Sequence, residues 1–383
     1  MIKYLSWQFI LVFVSDFDSE FTSFVSSIVA LLCTMIFLHT SVVSTVVVDS
    51  IVSSNLVRSP TYGKTFPALH SLEDYDGKKV IAIGSSIMQY SIDGNCIGEG
   101  METDDVSVFN LAVSGANPYT EILQIPALIK AEPELVIIDL GPNGLWEFYE
   151  SESLDEYIQF RFTINSIAME NDDIGEWTEL IRERDKQWIA MTDLERFELT
   201  QQYSHRAFEN VLLDYSDEHI EYIEHKKYAP KPNQDGWYDY LRTPNFLAPK
   251  YELLNDSQAK QLIDENMTKK KYAGVYNPNF NGTLNHLAYE YMLSELTNAN
   301  IEVLLVAAPH HPYVYPHLDE GQMDGFNHTI DYYTDYYDVS KLNMYWETWD
   351  NSMFRDRNHL GHNGREYYCE RIAPVIDEII QAE

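Results

Sequence analysis

Residues 78–90 read Lys-Lys-Val-Ile-Ala-Ile-Gly-Ser-Ser-Ile-Met-Gln-Tyr, and this stretch decides the fold. The apolar run Val80–Ile83 is short and rich in β-branched residues, which fits a strand buried on both faces. Gly84 breaks the run, and Ser85 and Ser86 offer side-chain oxygens to cap a following helix. The same kind of run recurs at Val106–Val113, Leu135–Leu140 and Ile301–Ala308, and a fifth strand is expected at Leu342–Trp346. Helical patterns lie between them, at Tyr119–Lys130 and Leu284–Thr297. A closing helix, Glu366–Ile380, repeats its apolar residues Tyr368, Ile372, Val375 and Ile379 at spacings of four, three and four. Strands alternating with helices predict a doubly wound α/β fold: a parallel five-stranded sheet with helices on both faces, three layers in all.

Of the 383 residues, 60 are acidic and 26 basic, a formal net charge of −34. A surface this acidic repels phosphate backbones, so no nucleic-acid partner is expected. The hydrophobic fraction of 45% supplies ample material for a core and excludes a disordered chain. The cysteines Cys33, Cys96 and Cys369 form no CxxC pair, which removes zinc-ribbon readings. Cys96 and Cys369 read as two buried free thiols, with a disulfide as the alternative in an oxidising compartment.

Residues Phe21–Val48 contain no Asp, Glu, Lys or Arg, a stretch longer than the about 20 residues a membrane helix needs. It reads as a permanent single-pass anchor, against the rival of a cleaved signal peptide. Lys3 precedes it, whereas Arg58, Lys64, Lys78 and Lys79 follow it. Counting basic residues would therefore keep the main domain in the cytoplasm. Sequons at Asn255, Asn266, Asn281 and Asn327 argue for the outside instead, and an extracytoplasmic domain is the expectation. Residues 49–77 lack periodicity and read as a tether, with the folded part starting near Lys78. Residues from Leu145 to about Asn281 break the strand–helix rhythm, so they form a large, mostly helical insertion after the third strand. The segment Asp331–Asp338 alternates acids with Tyr332, Tyr333, Tyr336 and Tyr337 and reads as a solvated loop, with sugar stacking as the alternative.

Ligands of open parallel sheets bind beyond the carboxyl ends of the strands. After the first strand comes Gly84-Ser85-Ser86, and after the second Asn110-Leu-Ala-Val-Ser114-Gly115. After the third comes Gly141-Pro142-Asn143-Gly144, and just before the closing helix Asp356-Arg357-Asn358-His359-Leu360. A serine hydroxyl needs a base, an imidazole suits that task, and a carboxylate three residues earlier can orient the ring. Each block also has a plainer reading, as a turn, a cap or a surface histidine.

In their order and settings these four blocks resemble the SGNH hydrolase superfamily, the GDSL-like esterases and acyltransferases, over residues 79–146 and 301–380. The resemblance implies a flavodoxin-like three-layer fold that uses no cofactor and no metal. It makes Ser86 the nucleophile, His359 the base and Asp356 its orienting acid. The oxyanion donors it implies are the backbone N–H groups of Ser86 and Gly115 and the side-chain amide of Asn143. His310, in the Ala-Pro-His-His run after the fourth strand, is a candidate for the substrate mouth. Two departures stand out: Ser85 replaces the family's usual Asp, and Gly144 replaces the Asp that commonly follows the third-block Asn. Gly-Ser-Ser is also similar to the first block of the membrane-tethered branch that modifies cell-envelope polymers.

The sequence thus describes an anchored serine esterase or O-acyltransferase. The substrate expected is an acyl ester on a glycan or envelope polymer, with the insertion, about 145–281, as lid or docking surface. Ser85 is the alternative nucleophile and His362 the alternative base. Two other readings stay open: a non-catalytic anchored protein that binds glycans or assembles an envelope complex, and a metal-dependent hydrolase using His310, His311, His317 and His328 with Asp356 and His359. No Walker loop, GxGxxG or GxSxG motif occurs.

Overall fold

Alternation along the strands explains the layers. In the computed structural model, Val80, Ala82, Val108, Leu135, Ile137, Leu304 and Val306 enter one apolar cluster. Their neighbours Ile81, Ile83, Phe109, Val136, Ile138, Val303 and Leu305 enter a second. Successive strand side chains point to opposite faces, so runs that are apolar at every position need a cover on each side.

The structure describes residues 19–38, 65–103, 105–113, 116, 118–141, 234–243, 255–269, 284–318 and 320–382. Helix α1 is Ser19–Leu38 and α2 is Thr65–Leu72. Strand β1, Lys78–Ile83, leads into α3, Ser86–Ser91, and α4, Gly94–Gly100. Strand β2, Val106–Asn110, is followed by α5, Pro118–Glu121, a single 3-10 turn at Ile122–Gln124, and α6, Ile125–Ala131. Strand β3 is Leu135–Asp139, α7 is Trp237–Arg242 and α8 is Asp256–Lys269. The chain continues through α9, Leu284–Asn298, β4, Glu302–Ala307, α10, Glu320–Tyr337, β5, Ser340–Asn343, and α11, His362–Ala382. The strands lie in the order β2-β1-β3-β4-β5, and every neighbouring pair is parallel. This is the three-layer α/β/α architecture. Ile87, Met88, Ile97, Tyr368 and Ile372 bring α3, α4 and α11 to one face. Leu69, Leu128, Tyr289, Leu293, Phe326 and Tyr333 bring α2, α6, α9 and α10 to the other.

Several expectations change. The segment 49–77 is not wholly a tether, because Ala68, Leu69 and Leu72 of α2 are fully buried in the core. Strand β2 stops at Asn110, three residues early. There the Asn110 amide turns to α3, its Nδ2 donating to the carbonyls of Gln89 (3.1 Å) and Ile92 (2.8 Å). Strand β5 lies two residues earlier than its apolar run, since Asn343 Oδ1 accepts from Tyr345 N–H (3.1 Å) and turns the chain. The Tyr-rich segment is helix rather than loop: Phe326, Ile330 and Tyr333 on α10 are buried while Tyr336 is 69% exposed. The Asn327 sequon lies inside α10, and its Oδ1 accepts from Trp346 Nε1 at 2.6 Å.

Cys96 and Cys369 are not free thiols. They form a disulfide between α4 and α11, with Cα atoms 6.0 Å apart, inside the usual range. Part of the expected insertion belongs to the core: Trp237 and Leu241 of α7 are buried beside the sheet, and Trp237 Nε1 donates to Ser71 Oγ at 2.8 Å. The stretch 145–233 lies outside the described residues. Among the described residues, no helix is long and apolar enough to cross a membrane.

Candidate active site

The nucleophile turn is shaped by a close approach. Gly84 has φ +143°, and a Cβ there would lie 2.4 Å from the Cβ of Asp139, so only glycine fits between β1 and β3. Ser85 then caps α3 in extended conformation. Its Oγ accepts from Ile87 N–H (3.2 Å) and donates to Asp139 Oδ2 (2.7 Å). Ser86 is therefore the first residue of α3, and its hydroxyl lies 2.8 Å from Nε2 of His359.

His359 sits in a short loop pinned at its base. Phe354 and Leu360 form an antiparallel bridge, and Arg355 N–H donates to the His359 carbonyl at 2.9 Å. The loop is fastened to the exit of β4 by His311 N–H donating to the Arg357 carbonyl, also at 2.9 Å. Gly364 lets α11 start against this loop, since a Cβ there would lie 2.1 Å from the Met353 carbonyl oxygen. Within the loop, Asp356 Oδ1 accepts from the N–H groups of Asn358 (3.1 Å) and His359 (3.0 Å). Its two oxygens lie 2.9 and 2.8 Å from His359 Nδ1. Burial alone would push the Asp356 carboxyl up, but the His359 ring and these N–H groups outweigh it and hold it below the usual range. It stays ionised, positioned to stabilise a charged imidazole.

Serine, imidazole and carboxylate thus form one hydrogen-bonded line beyond the carboxyl ends of a parallel sheet ordered 2-1-3-4-5, as the blocks implied. A family model described as DltD protein matches residues 254–377, which include β4, β5 and the Asp356–His359 loop. The sheet order and the Ser86–His359–Asp356 contact agree with what the resemblance to the SGNH hydrolases implies. No curated protein matches it. Among solved structures it is similar to a GDSL-like lipase from Bacteroides thetaiotaomicron at 12% identity, covering 80% of this chain and 88% of that one, with TM-score 0.34. It is also similar to the native aryl esterase of M. smegmatis at 9% identity, covering 80% and 99%, with TM-score 0.31. The SGNH reading rests on the ordered blocks and the contact geometry, not on these likenesses.

The remaining SGNH positions are placed as follows. Gly115 and Asn143 lie outside the described residues. Ser85, the alternative nucleophile, has its hydroxyl engaged by Asp139. His362, the alternative base, is exposed at the start of α11 with Nε2 3.3 Å from Glu366. His310 is buried, 5% exposed, with its ring edge-on to Tyr345. Burial, aided by the charges of Arg357 and His359, lowers its pKa to about 3, so the ring is neutral. His317 pairs with Asp264 at 2.9 Å instead of joining a ligand set. Among the described residues no group of three or more His, Cys, Asp or Glu could hold a metal.

Sequence reasoning missed two neighbours of the base. Tyr90, one turn after Ser86 on α3, lies edge-on to the His359 ring at 5.0 Å, and the Arg355 guanidinium lies 5.6 Å from the Tyr90 ring centre. The offset of four from Ser86 was the available signal, because it places Tyr90 on the same helix face.

Proposed function

We propose that this protein is a serine-dependent esterase or O-acyltransferase. The observation that carries the reading is the continuous contact from Asp356 through His359 to Ser86 Oγ. Ser86 Oγ attacks the acyl carbonyl carbon while its proton passes to His359 Nε2, and Asp356 offsets the charge gained by the ring. The tetrahedral oxyanion is held by the N–H groups of Ser86 and Gly115 and by the Asn143 amide, an assignment that rests on the SGNH register. Collapse expels the alcohol, which takes the proton from Nε2 and leaves an acyl-serine. Water releases the acid; a sugar or polymer hydroxyl takes the acyl group instead.

The proposal puts this chemistry outside the cytoplasm, on an O-acylated glycan or other envelope polymer, with Phe21–Val48 as anchor. The charge-free apolar run supports the anchor. The Cys96–Cys369 disulfide supports the oxidising side of the membrane.

The test uses the full chain in detergent micelles, a chromogenic acetyl ester and a fluorophosphonate probe. Ester turnover and covalent labelling at Ser86 are expected. Both should vanish in Ser86→Ala, while labelling persists in Ser85→Ala. Turnover that survives Ser86→Ala, or that a chelator abolishes, would overturn the reading.

A further inference from the structure

We infer that Asp139 is a positioning residue for the proposed reaction, holding the nucleophile turn and the start of the Gly141–Gly144 block in one register. The inference rests on Ser86 acting as nucleophile. Asp139 ends β3, and its carboxylate lies between two turns, bonded to Ser85 of one and facing the Gly141 amide of the other. Ser85 Oγ donates to Oδ2 at 2.7 Å, and the backbone amides of Ser85 and Gly141 face the carboxylate and favour its charged form. One turn carries Ser86, and the other opens the block that contains Asn143 two residues later. A carboxylate accepts at about four lone-pair sites on two oxygens, so it can hold the Ser85 hydroxyl and still favour the backbone amides that face it, where a hydroxyl or amide could not. The backbone behind it is fixed too, because Tyr289 donates its hydroxyl to the Asp139 carbonyl at 2.8 Å.

Burying a carboxylate is costly, and a simple turn can be held without one. Glu121, close enough to feel the charge of Asp139, is 2% exposed, with an Oε2 that has no hydrogen-bond partner among the described residues. Burial and the neighbouring Asp139 push the Glu121 carboxyl well up, which keeps Glu121 neutral. The donors therefore converge on Asp139 and not on its neighbour. The Ser86–His359 contact is 2.8 Å, and a shift of about 1 Å would remove it; misplacements of that size cost on the order of 10²-fold in rate.

The full chain in micelles is assayed with the acetyl ester as Asp139→Ala, Asp139→Asn, Ser85→Ala and Ser85→Thr. Asp139→Ala should lower kcat about 100-fold with KM within about threefold, and Asp139→Asn, which keeps one acceptor, should fall between it and wild type. Ser85→Ala should lower kcat about tenfold, and Ser85→Thr should recover most of that loss. Should Asp139→Ala fail to fold, the Ser85 pair decides. A kcat within threefold of wild type in folded Asp139→Ala, a change carried by KM, or no recovery in Ser85→Thr overturns the inference. A second readout is independent of turnover: in wild type, the nitrogen NMR signal of His359 Nε2 moves on Ser86→Ala, and Asp139→Ala should move it the same way. An Nε2 signal unchanged by Asp139→Ala overturns the inference even if the proposed reaction is wrong, whereas inactive wild type with a responsive signal overturns only the reaction.

Discussion

Two carboxylates serve the Ser86–His359 pair, and their settings differ. Asp356 sits in a partly open loop, bonded to the imidazole and to two backbone N–H groups, and its pKa is lowered. Asp139 is buried at the end of β3 and bonded to the Ser85 hydroxyl; burial raises its pKa, partly offset by Ser85 and Gly141. The first is kept charged where positive charge would develop. The second is kept still where the backbone must not move. Exposure separates the two tasks: water near Asp356 makes its charge affordable, and its absence around Asp139 makes each hydrogen bond stiffer.

Asp356→Asn is the strongest way to break this division. It should lower kcat by about 10³–10⁴ while KM changes little, as measured by ester turnover. A loss under tenfold would mean that Asp139, whose field also reaches His359, shares the compensating role. The next perturbation tests whether the buried side stays uncharged. His310 has an unfolded value near 6.5 and a folded value of about 3. Its contribution to stability is therefore complete above pH 6.5 and is lost progressively as the pH falls toward 3. His310→Gln should flatten that part of a urea-midpoint profile, and an unchanged slope would show that the ring is protonated in the folded protein. The smallest effect is expected from Glu121→Gln, which replaces a carboxyl already neutral. Its kcat should stay within about threefold of wild type, and a tenfold loss would show that Glu121 and Asp139 share one charge.

Strands β1 to β4 were legible because each is a short run rich in Val, Ile or Leu, and burial on both faces demands that composition; β5, Ser-Lys-Leu-Asn at the sheet edge, carries no such run. Ser86, Asp356 and His359 were legible because they lie in short blocks at strand ends. Asp139 was not. In Leu-Val-Ile-Ile-Asp-Leu-Gly it reads as the polar end of a strand, and its partner Ser85 lies 54 positions away. Helix α10 hid for another reason: Asp and Tyr alternate so densely that the spacing of Phe326, Ile330, Tyr333 and Tyr337 is lost among exposed residues of the same types. The bond between Cys96 and Cys369 could not be read either, since pairing across 273 positions is a property of the packed helices.

That bond also sets an order of events during synthesis. The sulfur on α4 is made before its partner on α11, so the whole intervening chain must exist before the two can join. A chain stopped short of Cys369 would carry Ser86 but neither a completed cross-link nor the packed helix that backs the His359 loop. The backing of the His359 loop is thus completed only once α11 has been made.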